Sequence, residues 1–128
     1  MGEATETVRA LMAKWDALDF DGITAMGADD VQAVDEISRK WLRGKANVSA
    51  YFDQLNQMGV SDVHSELSDL SEIALGDGVI VTGMLNQQYR AGGEQVKISA
   101  PLTVGLRKKD GAWKFVLVTA VPLSEEHS

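Results

Sequence analysis

Two histidines, His64 and His127, and no cysteine make up the stock of nitrogen and sulfur ligands in this chain of 128 residues. A zinc site takes about four converging ligands dominated by nitrogen and sulfur, so this stock points away from a metal centre, and nothing in the chain calls for a cofactor. The absence of cysteine also removes thiolate nucleophiles and disulfides, and agrees with a reducing, cytoplasmic setting. What remains is proton transfer by carboxylates and one imidazole. His64 sits between Val63 and Ser65 in a stretch with strand character. Facing a carboxylate across a pocket, its ring would be half of an acid–base pair; facing water, it is ordinary strand surface. Asp35 falls at the reversal between two short strand-like stretches, where aspartate commonly accepts hydrogen bonds from its own turn. Thr82, Asn86 and Gln88 share one parity of a longer strand, and Met84 lies among them. Turned inward they give a pocket a hydrogen-bonding patch, and turned outward they are sheet surface.

The elements that must position these groups are legible from spacing. Val8, Leu11, Met12, Trp15 and Leu18 recur at helical intervals and predict an amphipathic helix over 3–18. Phe20, Ile23 and Met26 continue a second, short helix that Gly27 stops, and Asp29-Asp30 closes the helical part. The stretch 31–37 and Lys40-Trp41-Leu42 read as two short strands joined by a turn. Beyond Gly44, the stripe of Val48, Tyr51, Phe52, Leu55 and Met58 predicts a third helix, ended by Gly59.

The second half is punctuated by Gly76-Asp77-Gly78, Gly92-Gly93 and Lys109-Asp110-Gly111. Such pairs supply the positive φ angles of tight hairpins, so the stretches 62–75, 79–90, 94–108 and 112–121 form an antiparallel meander. Strands this long must curl, and Gly83 and Gly105 mark the bends. In the third of them Val96, Ile98, Ala100, Leu102, Val104 and Leu106 make an apolar row, with Lys97, Ser99, Thr103 and Arg107 opposite. Trp113 is expected to close the core together with Trp15 and Phe52. Met12, Met26, Met58 and Met84 lie on apolar phases, as core fillers suited to a hydrophobic cup. The expected fold class is α+β: a strongly curved, mostly antiparallel sheet with three helices in the N-terminal half, forming a cone-shaped pocket. One domain is expected over 1–124, with a loose tail at 125–128.

The formal charge is −7, from 19 Asp and Glu against 12 Lys and Arg, which disfavours a nucleic-acid partner. The basic groups Arg39-Lys40, Arg43 and Lys45, and Arg107-Lys108-Lys109, flank turns and read as solvated rims. No window approaches the roughly 18 consecutive apolar residues of a membrane span. The start, Met1-Gly2-Glu3-Ala4, has neither the cationic nor the apolar segment of a secretory signal, and Glu6 stands where a myristoylation motif needs Ser or Thr.

The chain also resembles a known family. The run Asp19-Phe20-Asp21-Gly22-Ile23, then Ala28-Asp29-Asp30-Val31 and Ala33-Val34-Asp35, then Arg43-Gly44-Lys45 leading into Tyr51-Phe52, is similar to the SnoaL-like and ketosteroid-isomerase-like branches of the nuclear transport factor 2-like superfamily. Its ending, Arg107-Lys108-Lys109-Asp110-Gly111-Ala112-Trp113-Lys114-Phe115-Val116, resembles their last hairpin. That resemblance implies a cone with a small-molecule ligand, pairing of two copies through the outer face of the sheet, for which the apolar row of the third long strand could serve, and Asp35 at the position of the carboxylate base. Partly desolvated by Trp15, Trp41 or Phe52, a carboxylate there would titrate above its ordinary value. On the same register His64 falls beside the pocket, facing Asp35. Ketosteroid isomerase completes its oxyanion hole with a tyrosine and a protonated aspartate. In this chain those positions fall on Leu11 and on Thr103 or Gly105, so steroid isomerisation of that kind is not expected. The implied function is a small-molecule pocket protein with acid–base chemistry of isomerase, dehydratase or cyclase type on a polar ligand. The alternative is a non-catalytic dimerisation or ligand-sensing module. The candidate pocket residues are Trp15, Trp41, Phe52, Met84, Asn86 and Thr103.

Overall fold

A computed structural model describes residues 2–34 and 40–120. Their order is helix α1 (Glu3–Asp16), helix α2 (Phe20–Met26), strands β1 (Gly27–Val34) and β2 (Trp41–Arg43), helix α3 (Lys45–Gln57), then strands β3 (Ser61–Leu75), β4 (Gly78–Ala91), β5 (Glu94–Lys109) and β6 (Ala112–Ala120). The six strands form one sheet in the order β2-β1-β6-β5-β4-β3. Every neighbour is antiparallel except β1 and β6, which pair in parallel. The four-strand meander and the short pair β1/β2 thus form as the turn chemistry predicts. Gly92 and Gly93, and Asp110 and Gly111, all have positive φ, as two-residue hairpin loops require. Boundaries differ by a few residues, most at β1. β1 begins at Gly27, so Asp29-Asp30 belongs to the strand rather than to the end of the helical part.

The sheet curls where the glycines permit it. The β3/β4 register slips between Ser68 and Ser71, where Asp69 takes a φ of 54°. On β4, directly beneath this bulge, an added Cβ at Gly83 would lie 2.7 Å from Leu70 Cδ2 and 3.0 Å from the Ser68 carbonyl oxygen. A second irregularity falls between Gly105 and Leu106. Bulges of this kind raise the local twist, and they bend the long strands around the helices.

The core lies in the concavity. Val8, Leu11 and Met12 of α1, Phe20 and Ile23 of α2, and Val48, Phe52 and Leu55 of α3 pack onto Val81, Leu85, Ala100, Leu102, Val104, Leu106 and Phe115 of the sheet. The apolar row of β5 therefore points inward, under the helices. It is not the exposed surface through which two copies were expected to pair. Helix α1 is tied to the sheet at both margins: Glu72 of β3 accepts hydrogen bonds from the backbone N–H groups of Gly2 and Thr5, and Trp113 Nε1 donates to Glu3 Oε2 at 3.3 Å.

Candidate functional site

The inner residues of all three helices and of all six strands enclose a cavity of about 510 Å³. Its wall is mainly aliphatic and aromatic. Leu11, Met12 and Trp15 come from α1, Val31, Ala33 and Val34 from β1, Val48, Tyr51, Phe52 and Leu55 from α3, and Leu85, Val96, Ile98, Leu102 and Phe115 from the sheet. On the aromatic side the rings pack on one another. Phe20 stacks on Phe52 with centroids 4.9 Å apart, and Trp15 meets Phe52 edge-on at 5.4 Å. Polar groups in the wall are few: Thr24, Lys45, Tyr51, Gln87, Tyr89 and Glu94. Thr24 spends its hydroxyl proton on the Phe20 carbonyl, and Lys45 Nζ lies 3.9 Å from Asp29 Oδ1. Gln87 Nε2 donates to Ser65 Oγ at 2.9 Å across the β3/β4 pair.

Strand parity decides which expected residues reach this cavity. Trp15 and Phe52 line it. Trp41 does not: it sits on the short edge strand β2, 47% exposed, with the Arg43 guanidinium 5.7 Å from its ring centre. Asn86 pairs with Ser99, Met84 with Pro101 and Thr82 with Thr103, all on the convex face, and Gln88 opposite Lys97 shares that face. Met84, Asn86 and Thr103 therefore stand outside the cup, because the inward row of β4 is Val81, Leu85, Gln87 and Tyr89. His64 also points outward. It pairs with Gln88, and its Nε2 lies 3.3 Å from Glu66 Oε1 on an exposed surface, so it forms no acid–base pair inside the cup. Asp35 lies outside the described residues.

Leu11 is buried and lines the cavity, and the inward residues of β5 nearest the expected oxyanion partner are Leu102 and Val104. Thr103 and Gly105 face the other way. Neither Leu11 nor this part of β5 offers a side-chain donor. Gln87, Tyr89 and Glu94 are polar wall residues that the sequence pattern did not single out, although the apolar row Val79, Val81 and Leu85 already points to the parity of Gln87 and Tyr89.

A second cavity, of about 520 Å³, is lined by Asp29, Asp30, Lys45, Arg107, Lys109, Asp110 and Lys114. Arg107 Nη2 stands 3.3 Å from Asp30 Oδ1, and Lys114 Nζ donates to the Ala25 carbonyl at 2.9 Å. Its cations are thus partly neutralised. Among the described residues no group of three or more His, Cys, Asp or Glu is placed to hold a metal ion. No described helix is long and apolar enough to cross a membrane.

Three helices held in the concavity of a curved, open six-strand sheet define the nuclear transport factor 2-like, cystatin-like class of α+β protein. The sequence profile of the SnoaL-like domain matches residues 8–116, and the chain belongs to that family. No curated protein matches it in sequence. An NTF2-like protein of unknown function from Pseudomonas putida KT2440 is similar at 26% identity and a TM-score of 0.77, with 98% of this chain and 92% of that chain covered. A ketosteroid isomerase-like protein from Erwinia carotovora atroseptica shares the fold at 16% identity and a TM-score of 0.79, covering 94% and 93% of the two chains. The CaMKII hub of S. rosetta shares it at 22% identity and 0.79, covering 96% and 98%.

Proposed function

We propose that this protein binds an apolar small molecule in the cup and that its two-copy assembly forms through the convex face of the sheet. The observation that carries the first part is the 510 Å³ cavity itself, walled by aromatic and aliphatic side chains contributed by three helices and six strands. Well-formed apolar pockets with a few polar groups are the usual form of ligand sites. Asp35 is retained as the candidate base, since it follows Val34 of the wall directly in the chain. Proton transfer by Asp35 would be of isomerase, dehydratase or cyclase type, without the oxyanion donors of ketosteroid isomerase. A cytoplasmic setting belongs to this reading and is supported by the absence of cysteine.

N-phenyl-1-naphthylamine, a neutral fluorophore that brightens in apolar sites, tests the pocket. The expected result is saturable binding of one molecule per chain, lost when Ile98→Trp or Val96→Trp fills the cup while circular dichroism shows an intact fold. Unchanged binding in both filled variants would place the probe elsewhere and remove the reading.

A second reading, a non-catalytic association module, is favoured by the outer face. Ile73 and Leu75 are 49% and 56% exposed there, and one of the similar structures is a hub. The two readings separate on Asp35→Asn. Loss of turnover with retained fluorophore binding supports an enzyme, whereas a chain that binds but turns over nothing in the presence of Asp35 supports the module.

A further inference from the structure

Gln87 is held in one orientation on an otherwise apolar stretch of the cup wall. Its cross-strand neighbours are Ser65 on β3 and Ile98 on β5. Leu85 precedes it and Tyr89 follows it on the same face. The hydrogen bond from Nε2 to Ser65 Oγ, 2.9 Å long, fixes the plane of the amide. An amide carries two acceptor sites on its oxygen, and this bond uses only the nitrogen. Among the described residues no hydrogen bond to Gln87 Oε1 is formed. An acceptor whose orientation is set by the protein discriminates ligands by what it would leave unpaired.

Resting on the pocket reading above, we infer that Gln87, oriented by Ser65, accepts a hydrogen bond from the ligand, so that the cup selects an apolar molecule carrying a hydroxyl or N–H group over its methylated or unsubstituted counterpart. Gln87 is the specificity-determining contact and Ser65 the positioning residue. Inward residues of the facing strands and helices supply shape, and the amide supplies direction.

The test uses 2-naphthol and 2-methoxynaphthalene, the same bicyclic body with and without the donor, each displacing N-phenyl-1-naphthylamine. The wild type is expected to hold 2-naphthol roughly tenfold more tightly than the ether, the scale of one net hydrogen bond. In Gln87→Met, and in Gln87→Leu as a second variant, the ratio of the two affinities should fall toward one. Ser65→Ala should reduce the preference partially, because the amide is then free to turn away. A preference that survives both Gln87 variants would overturn the inference, as would equal binding of the two probes by the wild type. If the fluorophore binds and neither naphthalene displaces it, the inference falls and the pocket reading stands. If the fluorophore does not bind either, both fall.

Discussion

Glu72 caps helix α1 from across the fold: its carboxylate accepts the backbone N–H of Thr5 at 3.2 Å and, on the same oxygen, the Thr5 hydroxyl. Thr5 is fully buried, and the residues are 67 positions apart, so the helix start and the edge strand are joined by one carboxylate. Negative charge at a helix N-terminus complements the unpaired N–H groups and the helix dipole. The bond from the Thr5 hydroxyl holds the Glu72 carboxyl below its ordinary value of 4.5, with the backbone N–H groups of Thr5 and Gly2 adding to the effect. A depressed folded-state value means that this stabilisation is complete above the unfolded value and is lost as pH falls through the folded one. Glu72→Ala should therefore lower the melting temperature at pH 7, and the gap from wild type should narrow as pH drops below about 4.5. Thermal unfolding followed by circular dichroism from pH 7 to pH 3 checks this. A gap independent of pH would show that the carboxylate charge is not what holds α1.

Gly83 is the second point where the fold is constrained by space rather than charge. A side chain there must displace the Ser68 carbonyl, only 3.0 Å from an added Cβ, and with it the β3 bulge. Gly83→Val should cost about 1–3 kcal/mol through overpacking. Chemical denaturation provides the measure, and a midpoint equal to wild type would mean that β3 slides freely over β4.

Phe115 and Trp113 lie two residues apart on β6 and divide the labour expected of one aromatic core. Phe115 is 2% exposed and reaches the cup, whereas Trp113 is half-buried at the margin, bonded to Glu3 and covered by Lys108 Nζ at 5.5 Å from its ring centre. Phe115→Ala should cost about 3–5 kcal/mol, and Trp113→Ala less. Equal losses in paired denaturation curves would contradict this division.

The four-strand meander and its hairpins were readable because Gly92-Gly93 and Asp110-Gly111 encode local backbone angles, and Gly83 and Gly105 encode bends, whereas the parallel pairing of β1 with β6 has no local signal. The site was less legible because a strand's pattern states that two faces differ without saying which one the helices cover. On β4 the apolar residues Val79, Val81 and Leu85 settle the matter in favour of Gln87 and against Asn86. On β3 the same logic from Val63 and Leu67 turns His64 outward. Helical phase carried more information, since a single apolar stripe on α1 or α3 leaves one orientation, and Trp15 and Phe52 were found that way.

The convex face carries the last prediction. Reading across the sheet, Ile73, Ile80, Gly105 and Leu117 are successive cross-strand neighbours, followed by the row Ser71, Thr82, Thr103 and Thr119, then by Met84 beside Pro101. Toward the other end the face turns polar, with Asn86 opposite Ser99 and Gln88 opposite Lys97. An apolar and hydroxyl-bearing surface suits a two-fold interface in which a stable pair buries roughly 800 Å² on each partner. Sedimentation equilibrium at micromolar concentration should give a dimer mass for the wild type. Ile80→Glu, which sets a charge at the middle of the row, should give a folded monomer that still binds the fluorophore. A wild type that sediments as a monomer, or an Ile80→Glu variant that remains paired, would move the interface away from this face.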